Sequence, residues 1–288
     1  MEKELDNAID IDEQIENLKN IGLIINDENF AKSVLNNVSY YRLIKDYSLG
    51  LKPKNGCYYE SKTFEEIYQL YEFNMKFRQL LFPEIEKIEI MFRCRISNYF
   101  STTYGVLGYK DSNNFKNGIY YNDFLKDMET ELERNKKAPF VKNFNDNHDG
   151  NIPFYALIEL FSFGTLSKFF KNMKNPDKKA IAQSFGIGYT YLESWIESIS
   201  FVRNICAHYG RIYNMNFPKK PILYSQYREQ GISNYRIYAT LLCMKQILCF
   251  DKHWNIFVDE LYSLIDNYEY VNIRLMGFPE NWKEILIS

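Results

Sequence analysis

Apolar residues recur every three or four positions along almost the whole chain, the period of helices that bury one face. Ile15, Leu18 and Ile21 share such a face before Gly22, and Asp27 is placed to cap a second short helix carrying Phe30, Val34 and Leu35. SYYRLIKDYSLGLK (39–52) predicts a third short helix ending near Gly50, then a turn over 52–56 and a short extended piece over 57–60. Thr63-Phe-Glu-Glu66 reads as a capping box that opens a helical pattern running to about Tyr99. Pro83 lies inside that pattern, and its missing amide donor predicts a kink or a break. The Gly/Asn/Ser-rich stretch 105–121 predicts a loop, 122–135 a helix, and 143–153 another loop. Pro153 opens an apolar helix that Ser162-Phe-Gly164 breaks, and Thr165 starts the next. Asp177 is expected to cap a short helix ending at Gly186. A second capping box, Thr190–Glu193, opens a helix with Leu192, Trp195, Ile196, Ile199 and Val202 inward, running to about His208. A loop over 215–233 and two helices near 234–250 and 254–266 complete the pattern. With no repeat and no alternation of strands and helices, the expected fold is all-α: an N-terminal helical subdomain over 1–60 and a helical body with C-terminal helices over 61–288.

Composition narrows the class. At 288 residues, with 46% hydrophobic and 25% charged residues, the chain can bury a full core without disulfides or structural metal. Its 5 cysteines are odd in number and form no CxxC, which fits a reducing compartment. The acidic start MEKELDNAIDIDEQIE is unlike a signal peptide, and no apolar run approaches the roughly 18 residues of a membrane span. A cytoplasmic protein without membrane contact is expected. The net charge of −2 excludes a uniformly basic nucleic-acid coat but allows a local patch. Residues 168–179 hold Lys168, Lys171, Lys174, Lys178 and Lys179 against Asp177, and 203–220 hold four cations and no acid. These are either an anion-facing side or ordinary solvated faces. The 17% aromatic content is either a base-stacking surface or a coding bias towards Phe and Tyr.

Candidate chemistry concentrates in one place. No GxxxxGK[ST] or GxGxxG occurs, and three histidines without ligand spacing make a metal site hard to build, so neither metal nor other cofactor is expected. Cys206 and His208 fall on nearly opposite sides of a helix, poor geometry for a thiol–imidazole pair. The segment RNICAHYGRIYN (203–214), by contrast, ends an apolar helix with Arg203, Asn204, His208, Arg211, Tyr213 and Asn214. It is either a cationic helix end offsetting the macrodipole or a site for attack on a phosphodiester. An imidazole can move the proton of a ribose 2′-hydroxyl, a guanidinium can stabilise the phosphorane, and an Asn can orient the imidazole. The internal nucleophile needs no metal and restricts the reaction to RNA. Arg203 stands five before His208, and its long side chain can reach the imidazole. Arg211, Tyr213 and Asn214 are candidates to bind phosphate or support the site, and the lysines of 168–179 are candidates to bind the RNA. Glu86, Glu89 and Arg93, at helical neighbour spacing, either orient Arg203 or His208 or form a salt-bridged face. Tyr40, Tyr41 and Arg42 either stack on bases or fix the N-terminal unit to the body.

RNICAHYGRIYN resembles the Arg–His signature of HEPN ribonucleases. The chain as a whole resembles the Abi-like (abortive infection, AbiD/AbiF-type) branch. The likeness lies in EQIENLKNIGLII (13–25), VSYYRLIKDY (38–47), LYEFNMKFRQLLFPEIEKIEIMFRCRI (70–96), ELFSFGTLSKFF (159–170) and MGFPENW (276–282). The resemblance implies a HEPN-type helical bundle and an endoribonuclease toxin of bacterial anti-phage defence. It carries Arg203 and His208 over as catalytic residues. It further implies products with 2′,3′-cyclic phosphate ends and, as in some relatives, a small RNA that restrains the toxin. The family often has Asp where this chain has Asn74. HEPN nucleases generally work as paired domains, and neither His148 nor His253 has an Arg partner at motif spacing, so a homodimer that joins two His208 is expected. The rival expectation is a non-catalytic protein that uses the same cluster to hold a structured RNA.

Overall fold

The computed structural model describes residues 9–51, 57, 58, 60–249 and 251–287. These residues are helical with short connections, and no strand occurs among them beyond two isolated bridges, Ile24 with Thr63 and Phe115 with Met173. The all-α expectation holds.

Asp10 caps α1 (Ile11–Asn20) in a reciprocal box with Glu13, and Asp27 caps α2 (Glu28–Asn37) by accepting from the Phe30 amide. Where 39–52 predicted a third α-helix, the chain makes a π-helical turn over Tyr41–Lys45. The wider turn lets Leu43, Ile44 and Tyr47 all point inward. The turn expected over 52–56 lies outside the described residues, as does Tyr59 of the extended piece expected over 57–60.

The spine is α3 (Phe64–Tyr104), 41 residues and about 60 Å long, capped by Thr63. Ile67, Leu70, Phe73, Phe77, Leu81, Ile85, Ile88, Phe92, Ile96 and Phe100 form one buried stripe at spacings of three and four. No break occurs at Pro83. Its ring is exposed, while buried Leu81 and Ile85 on either side hold the two halves in register.

Two expected loops are partly helical. Asn117 caps α4 (Gly118–Arg134), which begins inside the stretch 105–121, and α5 (Pro139–Asn147) occupies the start of 143–153. Part of the aromatic content is spent here in the core. Phe100, Phe115, Phe124, Phe154 and Phe169 pack with neighbouring ring centroids 4.9–5.8 Å apart. After the single turn α6 (Phe154–Leu157), Ser162 rather than Thr165 starts α7 (Phe163–Asn172), accepting from the Thr165 amide.

Asp177 does not cap α8 (Asn175–Gln183). It lies within the first turn, buried, and accepts from the Tyr99 and Tyr104 hydroxyls of α3. The Thr190–Glu193 box is likewise not formed. Gly188 precedes α9 (Tyr189–Ala207), and Glu193 instead pairs with Lys178. A one-turn helix, α10 (Ser225–Glu229), interrupts the loop expected over 215–233. Then α11 (Ile237–Ile247), α12 (Trp254–Asp266) and α13 (Trp282–Ile287) follow, the first two packing on α3. Among the described residues no helix is long and apolar enough to cross a membrane.

Candidate functional site

The site is built on how α9 ends. Leu192, Trp195, Ile196, Ile199 and Val202 bury its inner face, which leaves Asn204 and His208 exposed on the outer one. His208 closes the helix, its amide donating to Asn204 O at 3.0 Å. The chain then turns through a Schellman arrangement, with Gly210 N donating to Ile205 O at 2.8 Å and Tyr209 N to Cys206 O at 3.3 Å. The left-handed position of that turn usually holds glycine, yet here it holds Tyr209 at φ 58°. Gly210 follows, where a Cβ would stand 3.0 Å from Ile205 Cγ2 and would press that side chain aside.

Three side chains from elsewhere clamp this turn. Asn74 of α3, fully buried, accepts from Ile212 N at 2.7 Å and Tyr213 N at 3.0 Å through Oδ1, and donates to Gly210 O at 3.3 Å. Arg78, one helical turn on, donates to the same carbonyl at 2.9 Å. Arg42 of the π-turn donates to Tyr209 O at 2.9 Å, so this member of the Tyr40–Arg42 group does fasten the N-terminal elements to the motif. Asn74 and Arg78 carry a signal that the sequence reading passed over: two polar residues four apart on the apolar stripe of a helix.

A second network positions Arg203. Glu89 receives Arg93 on Oε1 at 3.0 Å and faces Arg203 Nε with Oε2 at 3.3 Å. That Nε is buried and off the line of a hydrogen bond, so charge rather than a directed bond holds it. Arg93 is itself buried, donating to Ile158 O and to Phe161 O at 2.8 Å, which ties α3 to the start of α7. Glu86 is exposed and lines the same small hollow as Glu89, Arg93 and Arg203. Arg203 therefore turns towards Glu89 rather than towards His208, and no hydrogen bond joins the Arg203, Asn204 and His208 side chains within the chain.

Other candidates take structural positions. Arg211 donates to Tyr213 O at 2.7 Å and to Asn214 O at 3.3 Å, closing its own loop. Tyr213 is buried, and its hydroxyl accepts from Asn272 N. Asn214, at φ 50°, accepts from Arg236. These three shape the segment after the motif, and buried Tyr213 is not placed to meet RNA. Lys178 is not free to meet RNA either: it is only 2% exposed and bonded to Glu193 at 2.7 Å. Lys168, Lys171 and Lys179 are exposed and Lys174 half-buried, with Lys168 paired to Asp127 and Lys171 near Glu197. Burial pushes the Cys206 thiol up to about 12, which keeps it protonated and unsuited to nucleophilic work. Among the described residues no three His, Cys, Asp or Glu side chains gather as a metal site would require.

An exposed imidazole on a clamped helix end and, on the preceding turns, a guanidinium held by a half-buried acid are the polar features at the end of α9 in this all-α protein. The profile of the Abi-like protein family matches residues 33–214, from within α2 through α3 to the end of the motif segment. The chain belongs to the Abi-like family. No curated protein and no solved structure matches it.

Proposed function

We propose that the chain is a HEPN-type endoribonuclease of abortive-infection defence, a cytoplasmic toxin that cleaves RNA without a metal. One observation carries this reading: His208 stands exposed on a helix end that Asn74, Arg78 and Arg42 hold rigid. No packing need explains an exposed imidazole on a main chain held so firmly, whereas proton transfer needs such placement. In the proposed reaction His208 takes the proton from a ribose 2′-hydroxyl, and the oxygen attacks the adjacent phosphorus. The 5′-oxygen leaves with a proton, and a 2′,3′-cyclic phosphate remains. Arg203 stabilises the phosphorane, and Asn204, on the same exposed face as His208, orients the imidazole or binds phosphate. Glu89 and Arg93 keep the Arg203 guanidinium in line.

A homodimer supplies the second proton-transfer group, His208 of another copy across a two-fold axis. Exposed Ile90 of α3, which lines the Arg203 hollow, supports an apolar contact at that place. The same site takes a small RNA that restrains the toxin. The rival reading, an RNA-holding protein without cleavage, draws on the missing hydrogen bond between Arg203 and His208 within one chain.

The test is cleavage of RNA by the full chain in excess chelator, with mapping of product ends. Cyclic phosphate and 5′-hydroxyl ends are expected, with a loss of about 10²–10⁴ in rate on His208→Ala and little change in melting temperature. Products with 5′-phosphates would sink the mechanism, and RNA binding without cleavage would favour the rival. Mixed wild-type and His208→Ala dimers should be poisoned; activity linear in the wild-type fraction after subunit exchange would remove the shared site.

A further inference from the structure

Beside the motif lies a cleft of about 790 Å³, between the end of α2 with the π-turn on one side and α3 with the end of α9 on the other. Its volume falls within the roughly 300–1,000 Å³ of small-ligand pockets. Aromatic rings of Tyr71, Phe82 and Tyr209 and the guanidinium groups of Arg42 and Arg78 line it, and no acid among the described residues does. Each arginine donates one nitrogen to a main-chain carbonyl of the motif turn, which fixes its charge at the wall. The carboxamide of Gln79 is exposed there and bonded to none of the described residues.

Tyr209 is the informative residue. It is 68% exposed, so its ring is not held for the core. It also occupies a left-handed backbone position that glycine would fill without strain. A strained, exposed aromatic directly after His208 has no folding benefit to set against its cost. Its position does have a use: Tyr209 lines the cleft, while Phe82 lines both this cleft and the hollow of Arg203. A strand whose phosphate lies at His208 therefore meets Tyr209, the next residue, and can place its neighbouring base in the cleft.

We infer that the cleft is a nucleobase subsite, which takes one unpaired base of single-stranded RNA beside the scissile phosphate and stacks it on Tyr209. The inference rests on the ribonuclease reading for the identity of the strand. Cations with aromatic rings and no acid suit a base and its phosphate, since every base offers a π-face and arginine adds a cation–π contact. A base inside a duplex cannot enter, so the substrate is single-stranded or locally unpaired. Gln79 offers a donor and an acceptor to the base edge.

The test separates this from catalysis by using the full chain with His208→Ala, which binds without cutting. The probes are a short single-stranded oligoribonucleotide of mixed sequence and a chain of abasic riboses of equal length. Adding Tyr209→Gly should weaken binding of the base-bearing probe about ten-fold or more, and Tyr209→Phe should keep it. Neither change should alter affinity for the abasic probe, which a merely structural role of Tyr209 would move equally. Tyr209→Gly removes strain, so its melting temperature should rise or hold, and the loss cannot be unfolding. Gln79→Ala should narrow the differences in affinity among the four homo-oligomers. Unchanged affinity of Tyr209→Gly for the base-bearing probe, or an equal loss for both probes, overturns the subsite. Failure of the intact chain to cleave RNA would overturn the ribonuclease reading alone.

Discussion

Asn74→Leu should be among the most damaging single changes in the protein. It removes the acceptor of the Ile212 and Tyr213 amides, and both residues are buried, so neither amide regains water. A buried donor left unpaired costs about 1–3 kcal/mol, so the two together cost about 2–6 kcal/mol. The third bond, to Gly210 O, adds little because Arg78 still serves that carbonyl. At about 2–4 °C per kcal/mol for a domain of this order, the melting temperature should fall by around 10 °C. Asn74→Asp should behave differently. It keeps both acceptor contacts and strengthens them by charge, with Arg78 one turn away as counter-ion, but it buries a charge and sets a carboxylate oxygen against Gly210 O in place of the 3.3 Å donation. Its melting temperature should fall less than that of Asn74→Leu, because both amides keep their acceptor. Thermal and urea unfolding of the three chains would check the order, and RNA cleavage should fall with the clamp. If Asn74→Leu unfolds within about 0.5 kcal/mol of wild type, less than a single hydrogen bond is worth, the clamp argument is wrong.

Glu89→Gln should leave Arg93 and Arg203 without their shared counter-charge and cost about 2–4 kcal/mol, somewhat below a fully buried pair because Arg203 is half-exposed. An unchanged urea midpoint would show that the network carries no load. Replacing Lys168, Lys171, Lys174 and Lys179 with Gln should flatten the salt dependence of RNA binding by about 0.7–0.9 per lost phosphate contact. Lys178→Ala should instead lower the melting temperature, since it empties a buried position and leaves half-buried Glu193 without its partner, and leave the slope alone. An unaltered slope for the four-Lys variant would move the RNA footprint elsewhere. Thiol reagents near pH 8 should modify exposed Cys94 and Cys249 and spare buried Cys206, whose raised pKa holds it as thiol until about 12. Labelling of Cys206 in the native protein would contradict the packing at the end of α9.

Much of the fold was legible along the chain because helix formation and one-sided burial are local properties. The stripe of Ile85, Ile88, Phe92 and Ile96, the cap at Asp27 and the inward face of α9 all follow from spacing alone. So did the gathering of Arg203, Asn204 and His208 on one stretch, which is a matter of order. Local rules failed where a distant partner outbid them. Asp177 and Glu193 are good capping residues by type, yet tyrosines of α3 and Lys178 of α8 claim them. Pro83 breaks helices by rule, yet burial on both sides carries the helix through it. The direction of each motif side chain was decided the same way. Glu89 lies 114 positions before Arg203 and draws the guanidinium to itself, while Asn74, more than 130 positions before the turn it clamps, holds the backbone that carries His208. Sequence sets which groups are available and how each helix sorts them; only the packing of α3 against α9, by choosing among partners far apart in the chain, decides which groups meet.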